Sequence, residues 1–144
     1  MPKLKTKEER EFYHKYHIAN TTNIYTCKIN AVMINTHNGI KHEMKKLQVC
    51  YEIKKLGSSF ITEAERNKKR GEERKIVDVV DLSARKEIEI IDMHENDFQI
   101  QKYRAEGIIP VIVNPMACEK CGLLFPERNK KHICQVCNAL CTNL

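Results

Sequence analysis

From residue 40 onward, the spacing of hydrophobic and polar residues changes several times, and each change marks a predicted element. Apolar residues first recur at helical intervals over 40–56, which predicts a helix with Gly57 as its C-cap. Its apolar face consists of Ile40, Met44, Leu47 and Tyr51, widened by Val49, Ile53 and Leu56. The remaining pattern predicts strands at 59–64, 75–82 and 86–92, a helix at 95–106 before Gly107, and a strand at 108–114. This order of elements predicts an α/β fold.

The first 39 residues carry a weaker pattern. Residues 1–20 are mostly polar with a few aromatics, which predicts a short helix or a loose arm, and residues 21–36 are strand-prone or irregular. Pro115 closes the last predicted strand. We therefore expect three parts: an N-terminal arm at 1–39, a core at 40–115 and a C-terminal segment at 116–144.

Two cysteine pairs distinguish the C-terminal segment. Each pair has the spacing C-x2-C, and twelve residues separate the pair Cys118 and Cys121 from the pair Cys134 and Cys137. Two such turns facing each other supply four thiolates at about 2.3 Å from a tetrahedral Zn²⁺. The spacing predicts a structural zinc ribbon, with disulfides or free thiols as the alternative. A site closed by four thiolates folds a segment but performs no chemistry, so any reaction must take place upstream.

The composition narrows the class of protein. Hydrophobic residues make up 42% of the 144 positions and charged residues 31%, which supports a modest core. No apolar run approaches the roughly 20 residues of a membrane helix, and the charged N-terminus lacks the apolar region of a signal peptide. Seven cysteines, four of them in zinc spacing, fit a reducing cytosol, and Cys27 and Cys50 are expected in the core. We therefore expect a cytoplasmic protein without a membrane partner.

A net charge of +6 favours a polyanionic partner such as nucleic acid, although an ordinary protein surface fits it equally well. The basic residues form two runs, one in the loop before the second predicted strand and one inside the cysteine segment. These candidates for phosphate contacts are Arg66, Lys68, Lys69, Arg70, Arg74 and Lys75, and Arg128, Lys130 and Lys131. Such contacts give affinity that falls with salt and carry little sequence information. Solvated loops without a binding role have the same composition.

Acidic residues mark the predicted hairpin of residues 75–92. Because alternate residues of a strand share a face, pairing that sets Asp78 opposite Glu89 would bring Asp78, Glu87 and Glu89 together on one side. Carboxylates this close repel one another unless they bind a cation or a proton, and Mg²⁺ or Mn²⁺ is the expected cation. A shift of one residue would group Asp81 with the glutamates instead. Alternating Glu and Ile is also typical of any half-exposed strand.

The element order and these acids together resemble the PD-(D/E)xK nuclease superfamily, the restriction-endonuclease and Holliday-junction-resolvase fold. The stretches that carry the resemblance are Lys41–Leu47, Leu56–Ala64, Ile76–Leu82 and Glu87–Glu89. The resemblance implies an αβββαβ core that hydrolyses phosphodiester bonds with a divalent metal. By position, Asp78 is the motif aspartate and Glu87 the motif Asp/Glu, while Glu89 occupies the place of the family's lysine.

Three further residues follow from this resemblance. Lys102, on the second predicted helix, is a candidate substitute for the missing lysine, with an ordinary surface lysine as the alternative. Glu43 is preferred to Glu52 as the additional acid that the family carries on its first helix. Glu63, in the first strand of the core, is either a further ligand or a surface residue.

The sequence therefore predicts a DNA endonuclease with a catalytic Mg²⁺ or Mn²⁺ and a structural Zn²⁺. DNA is the expected substrate, with branched and single-stranded DNA among its candidate forms, and the resemblance allows a homodimer, since resolvases and many restriction enzymes act as pairs. Two alternatives stay open. One is a non-catalytic DNA-binding protein with a degenerate nuclease fold, and the other is a zinc-ribbon transcription or processing factor.

Overall fold

The computed structural model describes residues 4–19, 26–67, 71–92 and 97–113, together with the backbone of two short strands at 115–117 and 124–126. Its helices are α1 (Lys7–Tyr13), α2 (Ile40–Lys55) and α3 (Asp97–Ala105). Its strands are β1 (Tyr16–Ile18), β2 (Phe60–Arg66), β3 (Ile76–Asp81), β4 (Lys86–Ile91), β5 (Ile109–Ile112), β6 (Pro115–Ala117) and β7 (Leu124–Pro126). The mixed α/β class is confirmed, and from α2 to β5 the order of elements is the predicted one.

Five strands form one sheet in the order β1-β2-β3-β4-β5. The first four strands pair antiparallel, whereas β5 lies parallel to β4 because α3 carries the chain back between them. Val79 pairs with Ile88 and Val80 with Glu87, and one further step of this register sets Asp78 opposite Glu89, as predicted. β1 belongs to the predicted N-terminal arm, yet it is the edge strand beside β2.

The two faces of the sheet are covered by different helices. On one face, Cys50 and Ile53 of α2 pack among Phe60, Val79 and Ile88. On the other face, α1 covers the cluster around Tyr16, Cys27 and Val80, and α3 packs Ile100 against Ile91 and Ile112. The expected burial of Cys27 and Cys50 is confirmed. This arrangement leaves a groove between α1 and α3 on the face opposite α2.

α2 ends where the sequence predicts but presents an unexpected face. Gly57 adopts φ 80°, and the N–H groups of Gly57 and Ser58 donate to the carbonyls of Lys54 and Ile53 at 2.9 and 3.1 Å. An amphipathic helix would bury its apolar stripe. Instead the buried residues of α2 are His42, Glu43, Lys46, Cys50 and Ile53, whereas most of the predicted apolar face is exposed: Ile40, Met44, Leu47, Tyr51 and Leu56. The inward face of α2 is therefore largely polar.

The regular alternation of faces is interrupted in β2 and β3. Ile61 and Ala64 lie in one apolar cluster although they are three residues apart, and the same holds for Val77 and Val80. At the interruption, Glu63 has the left-handed φ of 48°. This interruption of the alternating faces turns the side chains of Glu63 and Asp78 towards α2, where they contact the polar face of that helix.

The C-terminal segment is described only at its first two strands. β6 and β7 pair antiparallel, with Pro115 opposite Pro126 and Ala117 opposite Leu124, and the first C-x2-C pair lies between them in the sequence. The predicted zinc ligands lie outside the described residues, as do six of the basic candidates: Cys118, Cys121, Cys134 and Cys137, and Lys68, Lys69, Arg70, Arg128, Lys130 and Lys131. In the part of the chain that the structure describes, no helix has the length and apolar character required to cross a membrane.

Candidate active site

A fully buried lysine lies at the centre of the polar face of α2. The Nζ atom of Lys46 is 2.5 Å from Glu43 Oε2 and 2.8 Å from Glu63 Oε1, and its side chain has no exposed surface. Burial alone would lower the pKa of Lys46, but the hydrogen bonds to Glu43 and Glu63 outweigh it and raise the pKa above the ordinary value. A buried charge is tolerated only with such partners, so this part of the helix is fixed by ion pairs.

Glu43 accepts hydrogen bonds on both carboxylate oxygens. Oε1 accepts from Asn38 Nδ2 at 3.0 Å and His42 Nδ1 at 2.9 Å, and Oε2 accepts from the N–H of Asn35 at 3.0 Å. Burial would raise the pKa of Glu43, yet these bonds and the one from Lys46 lower it to about 2. Glu43 is therefore held ionised, and the preceding loop is anchored to the start of α2.

His42 links this helix to the catalytic aspartate predicted on β3. Its Nε2 atom lies 3.5 Å from Asp78 Oδ2. Burial lowers the pKa of His42, but the hydrogen bonds and charges of Asp78 and Glu43 raise it to about 9. The same Asp78 oxygen accepts from the N–H of Ile90 at 2.8 Å. Asp78 is thus held from α2 on one side and from β4 on the other.

Glu89 completes the pair that the hairpin register predicts. Burial and the neighbouring Asp78 carboxylate raise the pKa of Glu89 to about 7, and Lys75 only partly offsets them. Lys75 Nζ lies 3.0 Å from Glu89 Oε1 and also over the ring of Tyr103, 5.0 Å from its centroid. The pair of Asp78 and Glu89 is therefore closely coupled, with a cation at its edge.

These contacts join seven ionisable side chains into one continuous chain across the sheet. In order they are Lys75, Glu89, Asp78, His42, Glu43, Lys46 and Glu63. The four carboxylates exceed the three cationic groups by one, so the charges balance when Glu89 holds a proton. Buried groups with perturbed pKa values concentrate at functional sites, which marks this cluster as the candidate active site.

The carboxylate pair suits a hard cation. Glu89 Oε1 is buried, and no donor meets it in hydrogen-bonding geometry despite the nearby Lys75. Within the described residues, no group of three or more His, Cys, Asp or Glu side chains is arranged to hold a metal ion. Mg²⁺ does not require three, because it is often bound through one or two carboxylates, several waters and the substrate phosphate. Asp78 and Glu89 therefore fit Mg²⁺ or Mn²⁺ as a partly hydrated ion.

Glu87 lies apart from this pair. The Tyr16 hydroxyl donates to Glu87 Oε2 at 2.7 Å, and the Arg66 guanidinium binds both carboxylate oxygens. Its register partner is Val80, a member of the apolar cluster around Tyr16. The structure thus brings Asp78, Glu89 and Glu43 into one network and gives Glu87 separate partners.

The groove between α1 and α3 has Glu87 in its lining and a cavity volume of about 620 Å³. Cationic side chains outnumber acidic ones around it. The basic lining consists of His14, Lys15, Arg66, Arg85 and Lys86, against Glu87 and Glu106. Basic side chains in a concave surface attract phosphates. The groove is therefore the candidate path for a polyanionic substrate.

The remaining predicted residues have varied surroundings. Lys102 is exposed on α3, and Glu52 is exposed on α2, as expected for that glutamate. Asp81 accepts from the N–H of Ala84 at 2.9 Å in the hairpin turn. Arg74, predicted to contact phosphate, binds Glu65.

The sequence did not predict the roles of four site residues: His42, Lys46, Lys75 as a partner of Glu89, and Arg85 in the groove. One signal for two of them was present, because the polar residues at 42, 43 and 46 lie at helical intervals opposite the apolar stripe. Which of the two faces turns inward depends on partners in distant strands.

Comparisons of the chain with protein-family models, with curated proteins and with solved structures gave no significant match.

Proposed function

We propose that the chain is a divalent-metal-dependent nuclease that hydrolyses phosphodiester bonds in DNA, with Asp78 and Glu89 as its metal ligands. The observation that carries the proposal is the neighbouring carboxylates of Asp78 and Glu89, with Lys75 Nζ 3.0 Å from the buried Glu89 Oε1. Carboxylates share a buried position at the cost of repulsion, and a bound cation removes that cost. The αβββαβ order from residue 40 to 112 supports the restriction-endonuclease-like core implied by the sequence resemblance.

Each side chain has a defined role in this proposal. Asp78 and Glu89 hold Mg²⁺ or Mn²⁺, which when bound lowers the pKa of water and stabilises charge on the phosphate. Lys75, with 30% of its side chain exposed, reaches the substrate and stabilises the developing negative charge. His42 positions Asp78 from α2, and the Glu43–Lys46–Glu63 ion pairs fix that helix.

This assignment differs from the one that the family resemblance implies. The resemblance made Asp78 and Glu87 the main metal ligands, placed Glu89 at the lysine's position as a further ligand or base, and offered Lys102 as the substitute lysine. Glu87 is instead bound by Arg66 and Tyr16, and the exposed Lys102 has no role in the cluster described above. We therefore propose Glu89 as the ligand and Lys75 as the functional lysine.

The groove supplies the binding surface for the substrate in this proposal. Lys15, Arg66, Arg85 and Lys86 neutralise successive phosphates, and Glu87 keeps Arg66 in place until the nucleic acid arrives. The zinc ribbon predicted from Cys118, Cys121, Cys134 and Cys137 is a second grip on the nucleic acid, with Arg128, Lys130 and Lys131 as its phosphate contacts.

The test is cleavage of supercoiled, branched and single-stranded DNA by the full zinc-loaded chain with Mg²⁺ or Mn²⁺. Asp78→Asn and Glu89→Gln should each abolish cleavage, since each removes half of the metal site. Asp81→Asn is the matched control on the same strand and should cut at the wild-type rate. If Asp78→Asn cuts as well as wild type, the assignment is wrong.

A second candidate is a non-catalytic DNA-binding protein with the same fold. The ion pairing favours it, because every cation in the chain of seven side chains already faces a carboxylate, as in a purely structural network. Titration calorimetry with Mn²⁺ separates the two. Binding that disappears in Glu89→Gln supports the nuclease, whereas DNA binding in EDTA without any Mn²⁺ binding supports the second candidate.

A further inference from the structure

One face of α2 exposes a continuous row of large apolar side chains. The exposed fractions are 77% for Ile40, 64% for Met44, 54% for Leu47 and 63% for Tyr51. The helix is buried on its polar side, and among the described residues this row lies outside the three core clusters. Contiguous exposed apolar surface of this kind marks an interaction site.

The spacing of the row is that of a helix–helix seam. Its residues follow one another at intervals of four, three and four, which is the a/d pattern of two consecutive heptads. Such a seam buries its side chains when a second helix with the same pattern packs along it. α2 therefore carries the surface required to pair with another helix.

We propose that this row is an interface between two copies of this chain, with the two α2 helices packed antiparallel about a two-fold axis. An isologous contact uses the same patch on both copies. The interval pattern reads the same in both directions, so antiparallel packing sets Ile40 against the partner's Tyr51 and Met44 against the partner's Leu47. Both contacts then occur twice.

The charges beside the row favour this antiparallel arrangement. On a helical projection, Lys41, Lys45, Gln48 and Glu52 all lie along the same flank. In an antiparallel pair, this flank of one helix faces the same flank of the partner, and the two run in opposite directions. Lys41 then lies near the partner's Glu52, and Lys45 lies near the partner's Gln48. The charges on this flank therefore complement those of a second copy packed in the antiparallel direction.

The same flank also provides space for side chains of the partner. A depression between α2 and β5, with a volume of about 380 Å³, includes Met44, Gln48 and Val113 in its lining. A second depression of about 350 Å³ follows along Gln48, Glu52 and Val111. The partner's Tyr51, which this pairing sets against Ile40, would reach the first depression beside Met44, since interface anchors are commonly aromatic.

The proposed dimer does not rest on the nuclease proposal. α2 covers one face of the sheet, and the basic groove lies on the other, so pairing through α2 leaves both grooves open. A monomeric nuclease or a dimeric protein without nuclease activity would each refute only one of the two proposals.

The first test is the mass of the full zinc-loaded chain by light scattering and sedimentation over a range of concentrations. Wild type should be dimeric, and Leu47→Glu should be monomeric with an unchanged circular dichroism spectrum. Phe98→Glu is the matched control, because Phe98 is also a half-exposed residue at 52% but lies on α3, and it should stay dimeric. A monomeric wild type, including one whose own C-terminal segment covers the row, would overturn the proposal, and so would a dimer that Leu47→Glu leaves intact.

A charge exchange tests the arrangement even if Leu47→Glu does not fold. Lys41→Glu and Glu52→Lys should each weaken the dimer by roughly 5- to 10-fold in Kd, because each changes two symmetry-related pairs. The double variant exchanges the charges and should restore the wild-type Kd. Equal Kd values for all four proteins, or a double variant weaker than either single one, would overturn the antiparallel pairing.

Discussion

Lys75 Nζ lies 3.0 Å from Glu89 Oε1, so the residue that precedes β3 places a cation beside the carboxylates of Glu89 and Asp78. The ammonium of Lys75 also lies over the ring of Tyr103 on α3. The lysine is therefore held from two sides, and it belongs to the candidate active site rather than to the flanking basic loop.

Replacing Lys75 should separate catalysis from metal binding. Lys75→Ala should lower the cleavage rate by roughly 100-fold or more, since a group that stabilises transition-state charge is lost. It should bind Mn²⁺ at least as tightly as wild type, because a cation beside Glu89 has been removed. Single-turnover cleavage and calorimetry measure the two effects. Lys102→Ala is the control and should match wild type in both; a loss of activity in Lys102→Ala alone would restore the assignment from spacing.

The buried lysine of α2 should be important for stability. Lys46→Met leaves the Glu43 and Glu63 carboxylates buried without their cation, and breaking a buried pair in this way costs about 3–5 kcal/mol. Urea unfolding should show this loss as a lower free energy of unfolding. The double variant of Lys46→Met with Glu43→Gln should recover part of it. Lys102→Met, an exposed lysine on a helix, should change the free energy of unfolding by no more than about 0.5 kcal/mol. Equal effects for both lysines would contradict the buried network.

Local patterns in the sequence were sufficient for the elements but not for their orientation. The apolar periods placed α2 through β5 in the correct order, and the hairpin register followed from pairing Asp78 with Glu89. The face of α2 did not follow, because both of its sides repeat at helical intervals and only the partner groups in β2 and β3 decide between them. Glu63 at φ 48° shows the same limit, since its left-handed backbone turns two acids towards the helix without any glycine to announce it.

The Glu43 carboxylate should contribute to acid unfolding. Its pKa is lowered to about 2 in the folded chain from an ordinary value of 4.5, so the folded state binds its proton less readily than the unfolded state. The stability it contributes is present above pH 4.5 and is lost as the pH falls towards 2. The free energy of unfolding, measured with urea between about pH 6 and about pH 2, should therefore fall more steeply with decreasing pH in wild type than in Glu43→Gln. Glu73→Gln, at an exposed position, should follow the wild-type curve, and a Glu43→Gln curve parallel to wild type would count against the network.

The basic side chains of the groove should contribute to the salt dependence of DNA binding. Arg85→Ala and Lys86→Ala should each weaken binding for all sequences and reduce the slope of log K against log salt by about one, as expected for one lost phosphate contact. Lys28→Ala is the control, because Lys28 is exposed and lies outside the groove lining. Anisotropy titrations with a catalytically inactive background, such as Asp78→Asn, provide the measurement. Slopes that stay unchanged in both groove variants would move the nucleic acid to another surface.

Zinc should stabilise the C-terminal segment without contributing to the stability of the core. In the sequence, Cys118 and Cys121 lie between the paired strands β6 and β7. We expect one zinc per chain by elemental analysis, lost on Cys118→Ser or Cys134→Ser and kept on Cys141→Ser, whose spacing from Cys137 is irregular. Hydrogen exchange after chelation should increase over 116–144 and stay low in β2, β3 and β4, because the described residues of their core clusters all precede the zinc-ligand cysteines. Exchange that rises throughout the sheet would mean that the metal supports the whole fold, and retention of zinc in Cys118→Ser would remove the four-thiolate site.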